Sequence, residues 1–174
     1  MPWAGLLAYR RRVQSPERDQ DLSPTTVEKS TEEGPALRDA MTAAARAEAD
    51  EAAANLARDS LLVMPVPEIE ADEAIAPHLL EGELVHALRR HAILRAPGGD
   101  TALGYGGTLY LTSRRLVHLG QVVMTVRLID IVESSLAGEQ LLLTLRDGEG
   151  LAIELDRPRL LRAEMAALTR ELRT

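Results

Sequence analysis

From residue 107 onward, apolar and polar side chains alternate in short runs broken by turn residues, the period-two signature of strands that bury one face. In Gly107 to Gly120, Leu109 and Leu111 alternate with Thr108, Tyr110 and Thr112, and a second apolar run, Leu116 to Leu119, follows the polar corner Ser113-Arg114-Arg115. A half-buried antiparallel hairpin is predicted there. Val122 to Leu128 and Ile129 to Glu133 supply two further β-rich pieces, with Val122, Met124, Val126 and Leu128 on one face. Beyond a turn at Ala137-Gly138-Glu139, Leu141, Leu143 and Leu145 point one way, and Asp147-Gly148 turns the chain into Leu151, Ile153 and Leu155. The period then changes. Leu161, Met165, Leu168 and Leu172 are spaced by 4, 3 and 4 residues, which puts them on one face of a helix opened by Asp156 as N-cap and Pro158 in the first turn.

The first half of the chain is patterned differently. Gln14 to Pro35 is rich in Ser, Thr, Pro, Asp and Glu, with too few apolar groups to offset the entropy of ordering a backbone, so residues 1–35 are expected to be a disordered tail. At Ala36 the composition shifts to Ala, Glu, Arg and Asp, which predicts one helix over residues 36–60. Its only large apolar residues are Leu37, Met41 and Leu56, so it is expected to dock loosely or stand alone; a coiled coil is the alternative. Residues 61–78 carry Pro65, Pro67 and Pro77 among acidic residues and read as a linker, although LLVMPVP has enough aliphatic surface to add a strand or cover part of a domain. The domain itself is expected over residues 79–174. At its start, LVHALRRHAILRA is compatible with a helix or a strand by periodicity alone, and Ala96 to Gly106 reads as a glycine-bearing loop.

Composition narrows the chemistry. There is no Phe and no Cys, with one Trp and three Tyr in 174 residues, so the core is aliphatic, and neither a disulfide framework nor a thiolate site is available. Residues 1–78 hold fifteen acidic against eight basic side chains, and residues 79–174 hold twelve of each, so the whole net charge of −7 belongs to the first half. That distribution argues against a nucleic-acid partner, whose backbone calls for a basic face. Trp3 to Ala8 is a short apolar patch, but Arg10, Arg11 and Arg12 follow it where a signal peptide has its charges in front, so no cleavable signal and no transmembrane segment are expected. The expected setting is cytoplasmic, with peripheral contact to a membrane as the alternative.

No catalytic constellation emerges, and no cofactor or metal is expected. His78, His86, His91 and His118 lack metal-ligand spacing, no serine sits in a nucleophile elbow, and Gly104-Tyr105-Gly106-Gly107 lacks the remaining residues of a phosphate loop.

The order Gly107, Leu109-Tyr110-Leu111, Thr112, Arg115-Leu116 and then more apolar residues resembles the core signature of GRAM and bacterial PH-like domains. The resemblance implies a mainly β fold with α: a bent sandwich of about seven strands, capped by the C-terminal amphipathic helix. It also decides for a strand after Glu81-Gly82-Glu83, since a Leu-x-x-Gly-Glu opening commonly precedes the first strand of such domains. Where many relatives carry an aromatic residue after the Arg-Leu pair, this chain has Val117-His118-Leu119, leaving a ring that can titrate. Domains of this kind bind proteins or lipids. The first expectation is therefore a non-catalytic interaction module with a protein partner, and the second is an anionic-lipid binder. The loop from Arg95 to Gly107 has no basic residue after Arg95, which leaves Arg89, Arg90, Arg95, Arg114 and Arg115, with Tyr105 and His118, as the candidate partner surface.

Overall fold

The computed structural model describes residues 33–95 and 105–173; residues 1–32 of the expected disordered tail and most of the glycine-bearing loop lie outside the described residues. A long helix α1 (Glu33–Ser60) is followed by strands β1 (Val85–Arg95), β2 (Tyr105–Thr112), β3 (Arg115–Gly120), β4 (Met124–Arg127), β5 (Ile131–Ala137), β6 (Gln140–Leu145) and β7 (Gly150–Glu154), and by helix α2 (Pro158–Glu171). The seven strands form one antiparallel sheet in the order β4-β3-β2-β1-β7-β6-β5, folded so that both halves share β1. The predicted β1 is a strand, with a bulge between Arg89 and Ala92 where His91 adopts a left-handed backbone, φ 58°. Residues 128–130 make a single 3-10 turn, so β5 starts at Ile131 and not at Ile129.

The core lies between the two halves of the sheet and α2. Leu109, Leu111, Leu116, Leu128, Leu141, Leu143 and Ile153 meet Leu161, Met165 and Leu168 from the helix. Two expectations for α2 are corrected. Leu172, which follows the last helical residue Glu171, is exposed, and Asp156 does not cap the helix. The N-cap position belongs to Arg157, whose left-handed backbone (φ 57°) offers no side-chain acceptor, so the acceptor comes from another element. Asp50 of α1 takes hydrogen bonds from the Arg159 and Leu160 amides at 2.8 and 3.0 Å. Arg159 pairs in turn with Glu51 at 3.0 Å, and Arg170 at the far end of α2 donates to the Leu61 carbonyl. Helix α1 thus runs parallel to α2, seated on Asp50 and small alanines such as Ala54, while Leu37, Met41 and Leu56 face solvent.

Residues 61–78, expected as a linker able to cover apolar surface, form with residues 79–84 a strap across the outer face of β1–β3. Leu61 and Val66 enter the main core, and Ile75 closes a second cluster with Val85, Tyr110 and Val117. Hence the β2–β3 hairpin is not half-buried. Tyr110 and Thr112, expected on its solvent face, are buried, because the strap lies where water was anticipated. Polar clamps hold the strap down. Ile69 donates its amide to the Val85 carbonyl at 2.8 Å, and His86 Nδ1 contacts the Val66 and Pro67 carbonyls at 3.2 and 3.0 Å. Asp72 accepts from the Ala74 and Ile75 amides and from the Tyr110 hydroxyl at 2.9 Å. The buried Glu83 accepts from the Leu80 amide at 2.8 Å, the Thr112 hydroxyl at 2.6 Å, and Nε and Nη2 of Arg115, each at 2.8 Å.

These clamps are linked to protonation. The Ile75 amide and Tyr110 hydroxyl hold Asp72 below the ordinary carboxylate range, while burial and Asp72 push Tyr110 up to about 12. Burial alone would raise the Glu83 pKa, but Arg115, the Leu80 amide and Thr112 together hold it below its ordinary value. Glu164 behaves oppositely: burial raises its pKa against the pull of Arg89. A carboxylate depressed in the folded state stabilises fully above the unfolded pKa and loses that contribution as pH falls through the folded one.

Two outcomes are expected. Leu168→Ala should cost about 2 to 5 kcal/mol in a urea melt, and a change within the scatter of surface variants would show that this face of α2 is not packed on the sheet. Glu83→Gln leaves Arg115 facing a neutral group in a site from which water is excluded, and should cost on the order of 3 kcal/mol at neutral pH. The gap between wild type and Glu83→Gln should shrink as the pH is lowered from about 4.5 downwards. A gap independent of pH would show that the carboxylate charge is not what clamps the strap.

Candidate functional site

Most arginines of the candidate surface are engaged within the fold. Arg89 points to α2, where Nη2 meets Glu164 at 2.8 Å, and its buried Nε has no hydrogen-bond partner among the described residues. Arg95 pairs with Glu154 across β1 and β7 at 2.7 Å. Arg115, at the hairpin corner, is committed to Glu83 and to the His78 carbonyl. Arg90 and Arg114 are exposed, and no ion pair engages either among the described residues. Tyr105 opens β2 and packs half-buried against the main core. A single basic face is therefore not what these positions make, because acidic residues invisible as neighbours in the sequence answer three of the five cations.

His118 requires a correction. It is fully buried, with Nε2 3.3 Å from the Ala92 carbonyl and Nδ1 3.4 Å from that of Val122, so it cannot serve as partner surface. Its ring lies over two paired glycines, Gly107 and Gly120. A Cβ at Gly107 would stand 2.6 Å from His118 Nε2, and one at Gly120 would stand 2.9 Å from Cε1. The backbone carbonyls of Leu119 and Gly106 stand closer still to these two Cβ positions, so both glycines are needed for the close approach of the strands as well as for the ring.

Several grooves open on the surface, two of them bordered by the helices. A groove of about 750 Å³ runs beneath α1, lined by Arg46, Arg90, His91 and Arg157 but also by Asp39, Glu139 and Asp156, a mixture of signs that selects no ligand charge. The second feature was not identified from the sequence. Strand β5 ends the sheet: it pairs with β6 on one side, and among the described residues no backbone hydrogen bond reaches its other side. Beside that edge lies a groove of about 400 Å³ between β5 and the C-terminal half of α2, lined by Val132, Ser134, Met165, Thr169, Arg170 and Arg173 among others. Val132 is 64% exposed and has no partner in the β6 register, where the ladder steps from Ile131 to Glu133. The signal available in the sequence was an apolar Val132 with no alternation partner, too small to mark an edge. Among the described residues, no three histidine, aspartate or glutamate side chains converge as a metal site, and no helix is long and apolar enough to cross a membrane.

No protein-family model matches the sequence, and no curated protein matches it. Solved structures do resemble the fold. The N-terminal PH domain of Vps36 superposes with a TM-score of 0.50 at 19% identity, over 62% of this chain and 96% of that one. The C-terminal domain of an unknown protein from Leishmania infantum (TM-score 0.42, 11% identity, 55% and 92% covered) and the PH domain of USP37 (0.34, 16%, 48% and 96%) are more distant. The Vps36 likeness is one of fold, and together with the seven antiparallel strands and C-terminal helix it gives this chain a PH-like fold, mainly β with α.

Proposed function

We propose that this chain is a non-catalytic, PH-like interaction module, of the GRAM-like kind expected from the hairpin signature, and that it binds a protein partner through the open edge of β5. The observation that carries this reading is the combination at one place of an unpaired strand edge, an apolar Val132 and a groove walled by α2. An extended segment laid there gains main-chain hydrogen bonds from the edge, and its alternate side chains enter the groove. The charge arrangement supports protein over lipid. Arg89, Arg95 and Arg115 are answered by Glu164, Glu154 and Glu83, so recruiting them to anionic headgroups would require breaking existing pairs, two of which, those of Arg89 and Arg115, are largely desolvated.

The test is a selection of short random peptides displayed on phage against the whole chain, followed by binding of the selected peptides to Val132→Pro. Proline is tolerated at bulges and removes a donor from the edge, so affinity should fall about tenfold or more while the melting temperature is kept. Val132→Asp serves as a second variant should the proline unfold the protein. Peptides that bind both variants as well as wild type would place the interaction elsewhere. Co-sedimentation with phosphatidylserine vesicles that survives about 0.15 M salt, and is lost in an Arg90→Ala, Arg114→Ala double variant, would replace the protein reading with the lipid one.

A further inference from the structure

We infer that the segment taken up by the β5 edge is acidic: an extended peptide with carboxylates at alternate positions, which face α2. This rests on the edge reading above and adds the chemistry of the occupant. Arg170 and Arg173 line the groove from the end of α2 and the residues after it, and Arg162 of α2 reaches Ser134 in the β5 wall. The Arg173 guanidinium has no hydrogen bond or ion pair among the described residues, Arg170 spends Nη2 on the Leu61 carbonyl, and Arg162 spends Nε on the Ser134 hydroxyl at 3.2 Å. None of the three is paired with a carboxylate among the described residues, in contrast with Arg89, Arg95 and Arg115. Against them the groove lining offers one acid, Glu133, while Glu171 on the same helix already has a partner of its own.

The C-terminus of α2 does add negative potential, and cations there are favoured for that reason alone. The dipole amounts to roughly half a unit charge, whereas Arg170 in the last turn and Arg173 just beyond the helix bring two whole charges, so the wall stays positive. Strand alternation supplies the specificity. With every second side chain of an added strand turned to one face, carboxylates at positions i and i+2 meet the arginines of α2, and the intervening residues face away from them. A basic segment would instead bring like charges against the same wall.

Fluorescence anisotropy on the whole chain can measure this with two labelled synthetic peptides, one alternating valine with glutamate and the other valine with lysine. The glutamate peptide should bind about tenfold tighter or more. That advantage should shrink towards parity as salt rises to about 0.5 M. Arg173→Glu should reduce it, and Val132→Pro should abolish binding of the glutamate peptide. Equal binding of the two peptides, or tighter binding of the lysine one, with loss in Val132→Pro, would overturn the acidic preference and leave the edge as a binding site. Binding of neither, while phage-selected peptides still require Val132, would also overturn it and leave the edge reading intact. Failure of both the synthetic and the selected peptides would overturn both.

Discussion

One carboxylate holds the outer face of this domain closed. Glu83 is reached by a backbone amide, a hydroxyl and two guanidinium nitrogens, and these donors come from the strap itself and from both strands of the β2–β3 hairpin. An isolated buried charge would be expelled or neutralised; with its lone pairs filled and its charge matched by Arg115, it becomes a fixed point. The strap then has no freedom to lift at that end, and Ile75 can pack on Val85, Tyr110 and Val117. Apolar burial supplies most of the adhesion, while the carboxylate sets the register in which it occurs.

The same logic recurs at α1. Alanines make close approach feasible but bury little area each, so a helix with Leu37, Met41 and Leu56 on its outer side needs something else to locate it. Asp50 does so by capping α2, whose own N-cap residue has no side-chain acceptor to offer. In both cases an acid from the first half of the domain satisfies donors in the second half. The acidic excess of residues 1–78, which reads as solvated charge in the sequence, is in part structural: Asp50 and Asp72 both act as acceptors for tertiary donors.

These internal commitments also shape what is left for a partner. Arginines facing α2 or β7 from β1, and the one at the hairpin corner, are used up within the fold, whereas those along the C-terminal half of α2 are not matched to carboxylates among the described residues. The sheet is continuous through β1 but leaves β4 and β5 with one neighbour each, and β5 is the one beside the groove walled by α2. An open edge and unmatched positive charge occur at the same site, which is why recognition is assigned there and not to the loop between β1 and β2.

Local pattern was enough for the elements whose burial has a short period. The alternation of Leu141, Leu143 and Leu145, the turn at Asp147-Gly148 and the stripe of Leu161, Met165 and Leu168 determined strands and helix on their own, because side-chain direction follows from φ and ψ alone. The alanine-rich composition likewise determined α1, which extends three residues beyond the expected start, to Glu33. Only tertiary structure decided which polar residues would be buried. Glu83, Thr112, His118 and Asp50 carry no mark of burial in the sequence, since what makes each tolerable indoors is a donor or acceptor tens of residues away. The cap of α2 was misplaced onto Asp156 for the same reason: a cap is a hydrogen bond, and its acceptor need not be local. The free edge of β5 belongs with these, because whether a strand has one neighbour or two depends on the order of strands in the sheet, a property no stretch of residues carries by itself.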